Sequence, residues 1–243
     1  MKSILVQCWK AHWPKMNLGE WFIELILNHL GYDVRYSPEN RREEDEPVLM
    51  VIGSDFTRRF IVEQLVELGT APREIHVWGA GNGLGPEQAI DVRTNSEVKV
   101  HAVRGPLTAE WSHIEGVPCC DPGFLLPQVL PLKREPTDEV LWVPHWIDRF
   151  DSMPPKRARG VTDKICVILD REEVVPVIQR IVNAERVVTN TLHTYILCLA
   201  YGVPVTHTYT MLPTKWRDML ASLPVGPKLD AFRKSFPHFL ARD

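Results

Sequence analysis

The chain has 243 residues, with 28 Lys plus Arg against 31 Asp plus Glu and a formal charge of −3. That length holds one large domain or two halves, and either can bury a core. Hydrophobic residues make up 44% and charged residues 24%, an ordinary globular balance without the broad basic field of a protein that grips nucleic-acid phosphates.

No run nears the roughly 20 apolar residues that span a bilayer. The N-terminal MKSILVQCWKAHW lacks the sustained apolar core and cleavage site of a signal peptide, so a cytoplasmic protein is expected. The five cysteines are scattered, and the adjacent Cys119 and Cys120 do not have the CxxC spacing of a metal site. They read as reduced thiols.

Short β-rich runs alternate with helical patterns, as in βαβ units around parallel sheets. Ser3 to Trp9 reads as a strand. Asn17 caps a helix in which Trp21, Phe22, Leu25, Ile26 and Leu30 recur at helical spacing, with Gly31 past its end. Strands follow at Asp33 to Tyr36 and Val48 to Ile52, separated by the charged, proline-bracketed loop Pro38 to Pro47. A helix over Thr57 to Leu68 and strands at Ile75 to Trp78 and Val98 to Val103 come next. Pro106 suits a first helical position, so a helix covers Leu107 to Ile114.

The proline-rich CCDPGFLLPQVLPLKREPTDE reads as an interdomain linker, which divides the chain into domains at 1–130 and 138–243. Beyond it, strands are expected at Val140 to Val143, Ile165 to Leu169, Arg186 to Thr189 and Val203 to Thr208. Helices are expected at Glu172 to Val182 and Leu192 to Tyr201. Ligands of such folds bind outside the carboxyl ends of strands, so chemistry is sought there.

Four places offer it. The run Gly79-Ala-Gly81-Asn-Gly83-Leu-Gly85 follows a strand, but its spacing is not GxGxxG and Pro86 follows, so it reads as a loop near a substrate cleft, with Gly81 in contact. Arg104 ends a strand directly before a helix, where guanidinium and free amides suit an anion. The alternative is an internal ion pair, with Asp121 as the candidate carboxylate. Asn190, Thr191 and His193 meet where a buried strand turns into an apolar helix, a setting for anion binding or proton transfer. His145 ends the first strand of the second half, with Arg149 close behind. No HxH, HxxxH or HExxH spacing, GxSxG elbow or Walker loop occurs, so no metal site is expected.

Three segments in order, VRGPLTAEW (Val103 to Trp111), DPGFLLP (Asp121 to Pro127) and TNTLHTYILCLAYGVP (Thr189 to Pro204), resemble the polysaccharide pyruvyl transferase family. VPHW (Val143 to Trp146) agrees with its bacterial exopolysaccharide ketal pyruvyltransferases of the xanthan type. The resemblance runs from about Asn17 to Pro204. It implies an α/β fold of two Rossmann-like domains in a GT-B-like arrangement with a cleft between them. It also implies phosphoenolpyruvate as donor, a saccharide acceptor, lipid-linked or polymeric, with two free hydroxyls, and no cofactor.

Arg104 matches the arginine of the family's VRG element, and His193 matches the histidine attributed to donor binding and catalysis. Asn17, Gly19 and Glu20 match an N-x-G-D element, with Glu20 in place of the acid Asp. Thr194 stands where the family has Gly and could narrow the pocket, and Thr191 stands where many members have an arginine. Arg104, Arg149 or His145 must then supply the missing charge.

On this reading His193 contacts the donor phosphate and moves a proton, Arg104 clamps carboxylate or phosphate, His145 is a second acid or base, and Asp121 orients Arg104 or a hydroxyl. The donor is then gripped in the groove between the halves by Arg104 from one side and His193 from the other, so both must face a common cavity and reach solvent. Two rivals stay open: a non-catalytic carbohydrate- or partner-binding protein of exopolysaccharide assembly, and a sugar-nucleotide glycosyltransferase of the same architecture. Trp9, Trp13 and Trp21 could stack on a sugar or pack in the core. The C-terminal KLDAFRKSFPHFLARD either packs on the body or rests on the inner face of a membrane.

Overall fold

Short apolar runs build two separate parallel sheets in this computed structural model, which describes residues 2–7, 15–36, 46–61, 74–145, 160–208, 213–223 and 226–237. The chain runs β1 (Lys2–Gln7), β2 (Met16–Asn17), α1 (Leu18–His29), β3 (Tyr32–Tyr36), β4 (Val48–Met50), β5 (Ile75–Trp78), β6 (Val98–Ala102), α2 (Pro106–Trp111) and α3 (Leu126–Val129). It continues through β7 (Val140–Val143), β8 (Asp163–Lys164), β9 (Ile168–Leu169), α4 (Val174–Asn183), β10 (Arg186–Thr189), α5 (Leu192–Tyr201), β11 (Val205–His207), α6 (Pro213–Ala221) and α7 (Gly226–Lys234).

The first sheet has the order β3-β1-β4-β5-β6 and the second β11-β10-β7-β8, with all pairings parallel. Residues of β4, β5 and β7 are buried without alternation, as parallel strands covered on both faces must be. In each sheet the first strand in sequence has the second on one side and the third on the other. This doubly wound order opens a crevice at the carboxyl ends of β1 and β4 in one sheet, and of β7 and β10 in the other. The α/β class and the Rossmann-like sheets agree with the sequence.

The division of the chain is less simple than a cut at residue 130. One unit holds Met1–Trp9, Ile23–Pro122 and Leu212–Asp243, and the other holds Lys10–Phe22 and Gly123–Met211. One crossing falls inside the expected linker, whose Leu125 and Leu126 are buried and which forms α3. Another falls inside α1, after Phe22.

The C-terminal segment belongs to the first unit because Phe232 stacks on Trp78 at 4.5 Å, Phe236 meets the same indole edge-on at 4.9 Å, and Trp78 Nε1 donates to the Phe232 carbonyl at 3.0 Å. Two aromatics that a membrane-resting tail would present are therefore core residues. Trp21 is also buried, its Nε1 donating to the Leu169 carbonyl at 3.0 Å, whereas Trp9 and Trp13 lie outside the described residues.

The expected strand Ile165 to Leu169 is split. Ile165 N still donates to the Trp142 carbonyl, but Val167 O accepts from Leu18 N and β9 pairs antiparallel with β2, so the segment leaves the sheet to hold the start of α1. A helical turn opens after Thr57, whose Oγ1 accepts from Phe60 N, and the rest of that expected helix lies outside the described residues, as does most of the Pro38 to Pro47 loop. Cys119, Cys120, Cys166 and Cys198 form no disulfide.

The weight of the C-terminal segment can be measured. Phe232→Ala is expected to destabilise the full chain by roughly 3–5 kcal/mol in urea unfolding, and a loss under about 1 kcal/mol would show that α7 is dispensable to the first unit.

Candidate functional site

In the second unit, the first turns of α1 pack against the imidazole of His193 at the start of α5. Asn17 Oδ1 accepts from Gly19 N at 2.9 Å and so caps α1. The bare Cα of Gly19 then leaves room for His193, since a Cβ built on Gly19 would lie 1.9 Å from His193 Nδ1. Phe22 meets the same ring edge-on at 6.2 Å. Glu20 stands half-buried in the first turn of α1. The N-x-G-E element and the histidine element are thus two walls of one feature, although 174 positions separate Gly19 from His193 in the chain.

The turn from β10 into α5 is held by its own polar groups. Thr189 Oγ1 donates to the Val143 carbonyl at 2.7 Å and accepts from Thr191 N at 2.9 Å, and Thr191 Oγ1 caps α5 by accepting from Thr194 N at 3.1 Å. Asn190 Oδ1 accepts from His145 N at 2.6 Å, which draws the end of β7 to the start of α5. Thr191 is therefore a cap as well as a candidate contact.

Thr194 is fully buried, and its Oγ1 has no hydrogen-bond partner among the described residues. His193 and His145 are half-buried. Arg149 lies outside the described residues.

Arg104 occupies a different setting, in the first unit. It is 0% exposed. Its Nη1 donates to Gly53 O at 3.0 Å and Ser54 Oγ at 3.1 Å, its Nη2 donates to Asn82 O at 3.1 Å, and its Nε lies 3.4 Å from Asp218 Oδ2. The internal ion pair weighed from sequence is present, but the carboxylate is Asp218 of α6 rather than Asp121, which is itself fully buried.

Asp218 also accepts from Thr108 N at 3.0 Å and Thr108 Oγ1 at 2.6 Å, and a Cβ on Gly105 would lie 2.1 Å from the Asp218 carbonyl oxygen. Each residue of the VRGPLT run with a special requirement thus serves a socket for α6. Gly81 has a similar reason to be bare, because its Cβ would lie 2.6 Å from Arg104 Cζ. The glycine run makes room for a guanidinium, and Asn82 fixes the loop by accepting from Leu84 N and Gly85 N and donating to Gly85 O. Arg104 does not meet the requirement of reaching solvent, so its expected clamp on a ligand is replaced by a positioning role.

Asp218 was not foreseen: no local signal marks it, and it lies 114 positions beyond Arg104.

No family model matches the chain. Over 77% of its length it is 26% identical to the succinoglycan biosynthesis protein ExoV of Rhizobium meliloti (strain 1021), and it spans 57% of that protein. This chain is a distant relative of an exopolysaccharide biosynthesis protein. The crystal structure of an uncharacterized protein from Klebsiella pneumoniae subsp. pneumoniae NTUH-K2044 matches with a TM-score of 0.62 at 12% identity, over 93% of this chain and 90% of that one, which shows a shared fold. Among the described residues, no helix is long and apolar enough to cross a membrane.

Two substitutions test this geometry. Gly19→Ala is expected to displace the His193 ring, seen as a shift of its imidazole resonances, while helix content holds because alanine favours a helix by roughly 0.5–1 kcal/mol over glycine. Arg104→Ala leaves Asp218 buried without its cation and is expected to lower stability by roughly 3–5 kcal/mol in chemical denaturation; a neutral result would refute the socket.

Proposed function

We propose that the protein is a phosphoenolpyruvate-dependent ketal pyruvyltransferase of exopolysaccharide assembly, built on a GT-B-like pair of Rossmann-like units. The observation that supports the reading is that Asn17 caps the start of α1, whose Gly19 packs against His193, while Asn190 accepts from the backbone N–H of His145; these segments, distant in the chain, resemble the pyruvyl transferase family. Relationship to a succinoglycan biosynthesis protein supports the same pathway class.

The donor is an enol phosphate that also carries a carboxylate. The N-termini of α1 and α5 offer positive ends of helix dipoles for the anionic groups, and His193 sits in the first turn of α5 against the start of α1. Protonation of the donor's methylene carbon creates an oxocarbenium-like centre. One sugar hydroxyl adds to that carbon and loses its proton, and the second hydroxyl then displaces phosphate to close the cyclic ketal. His193 is assigned to phosphate contact and proton delivery, and His145 to the second acid–base role. Such groups are each worth about 10² to 10⁴ in rate.

The burial of Arg104 favours a second reading, in which the fold keeps a saccharide site but has no turnover, because the strongest expected anion clamp faces inward. Calorimetry separates the two. The transferase is expected to bind phosphoenolpyruvate and not a sugar nucleotide, and His193→Ala is expected to lower ketal formation at least about 10²-fold with the fold intact. A wild-type chain that ignores phosphoenolpyruvate, or a His193→Ala variant of full activity, would overturn the assignment.

A further inference from the structure

The first unit has a strand-end crevice of its own that the reading above leaves unused. Between the carboxyl ends of β1 and β4, where the winding of the sheet reverses, the chain leaves β4 through Gly53, Ser54 and Asp55. Gly53 adopts φ +123, and a Cβ there would lie 3.0 Å from Asp55 Oδ2, so the turn folds the carboxylate back over the strand end. Asp55 is half-buried, and its carboxylate has no hydrogen-bond partner among the described residues.

Ser54 Oγ accepts from Arg104 Nη1, which leaves its own hydrogen to donate. At the end of β1, Gln7 is 8% exposed and its Oε1 has no partner among the described residues. Buried and half-buried acceptors without partners are costly unless a ligand or water satisfies them.

The local charge narrows the ligand class. Arg104, from the end of β6, and Lys215, from α6, face Asp55, and Asp218 offsets Arg104. Among the described residues, two cations against two carboxylates sum to neutrality. An anionic ligand would meet an unpaired carboxylate, and a cationic one would meet Arg104 and Lys215. A neutral ligand rich in hydroxyls suits the set, because a carboxylate accepts from two hydroxyls at once and Ser54 donates to a third oxygen.

We propose that Ser54 and Asp55 form a hydroxyl-binding subsite for the saccharide, with Gln7 contributing at the end of β1. This rests on the reading above only for calling that saccharide the acceptor.

The ionisation of Asp55 supplies a readout. Burial pushes its carboxyl up to about 6 against the opposing pull of Arg104 and then Lys215. The anionic form, the better acceptor, therefore dominates above that value and is lost below it. Saccharide binding is expected to strengthen from about pH 5 to about pH 7.5, a change that a purely structural aspartate would not produce.

The test uses the full chain and methyl β-D-glucopyranoside, followed by ligand-observed NMR. Wild type is expected to bind it, and Asp55→Ala to bind at least about tenfold more weakly, the size of a lost charge-assisted hydrogen bond. The isosteric Asp55→Asn keeps the fold, as its unfolding midpoint checks, and loses the pH dependence. Failure of wild type to bind the glycoside, or equal affinity in Asp55→Ala, overturns the subsite. Glycoside binding through Asp55 in a chain that ignores phosphoenolpyruvate would retain the subsite and remove the transferase reading. Ketal formation with unchanged glycoside affinity in Asp55→Ala would do the reverse.

Discussion

A guanidinium sealed from water needs acceptors and a counter-charge close by, and in the first unit that demand shapes the carboxyl end of a whole sheet. Arg104 reaches the loop after β4 through Gly53 and Ser54, the loop after β5 through Asn82, and α6 through Asp218. Removing water from such a charge costs several kcal/mol, so its partners are held in place as firmly as it is. The glycines at 81 and 105 follow from this, since a methyl group at either would collide with the network. A motif that suggests ligand chemistry from its sequence is here explained by internal packing.

The second unit holds its half-buried imidazole by another route. There the polar residues of the β10–α5 turn satisfy one another and their backbones, and His193 stays half-buried against the bare backbone of Gly19. Precision comes from the supporting layer: Asn17 fixes where α1 begins, the short β2–β9 pairing fixes where Asn17 stands, and Asn190 fixes the end of β7.

Legibility in the sequence followed the range of the forces involved. α5 was readable to its end residues because a capping threonine and a left-handed glycine bracket it, at Thr191 and Gly202. The central strands β4, β5, β7 and β10 were readable because parallel strands covered on both faces are apolar throughout, whereas the polar edge strand β8 was not. What was hidden depended on partners distant in the chain. Nothing near Arg104 announces Asp218, nothing near Trp78 announces Phe232, and the departure of Val167 from its sheet is set by Leu18. The gathering of Asn17, Gly19 and His193 was legible only as a resemblance between motifs, and the steric reason for Gly19 needed coordinates.

The return of residues 213–237 to the first unit bears on how the polypeptide matures during translation. Its opening strands emerge from the ribosome long before Asp218 and Phe232 do. Throughout that interval the indole of Trp78 has no aromatic cover from α7 and Arg104 has no counter-ion from α6. The lobe begun first is therefore finished last, which leaves an apolar surface and a bare cation on the nascent chain, the circumstance in which holdase chaperones are most needed.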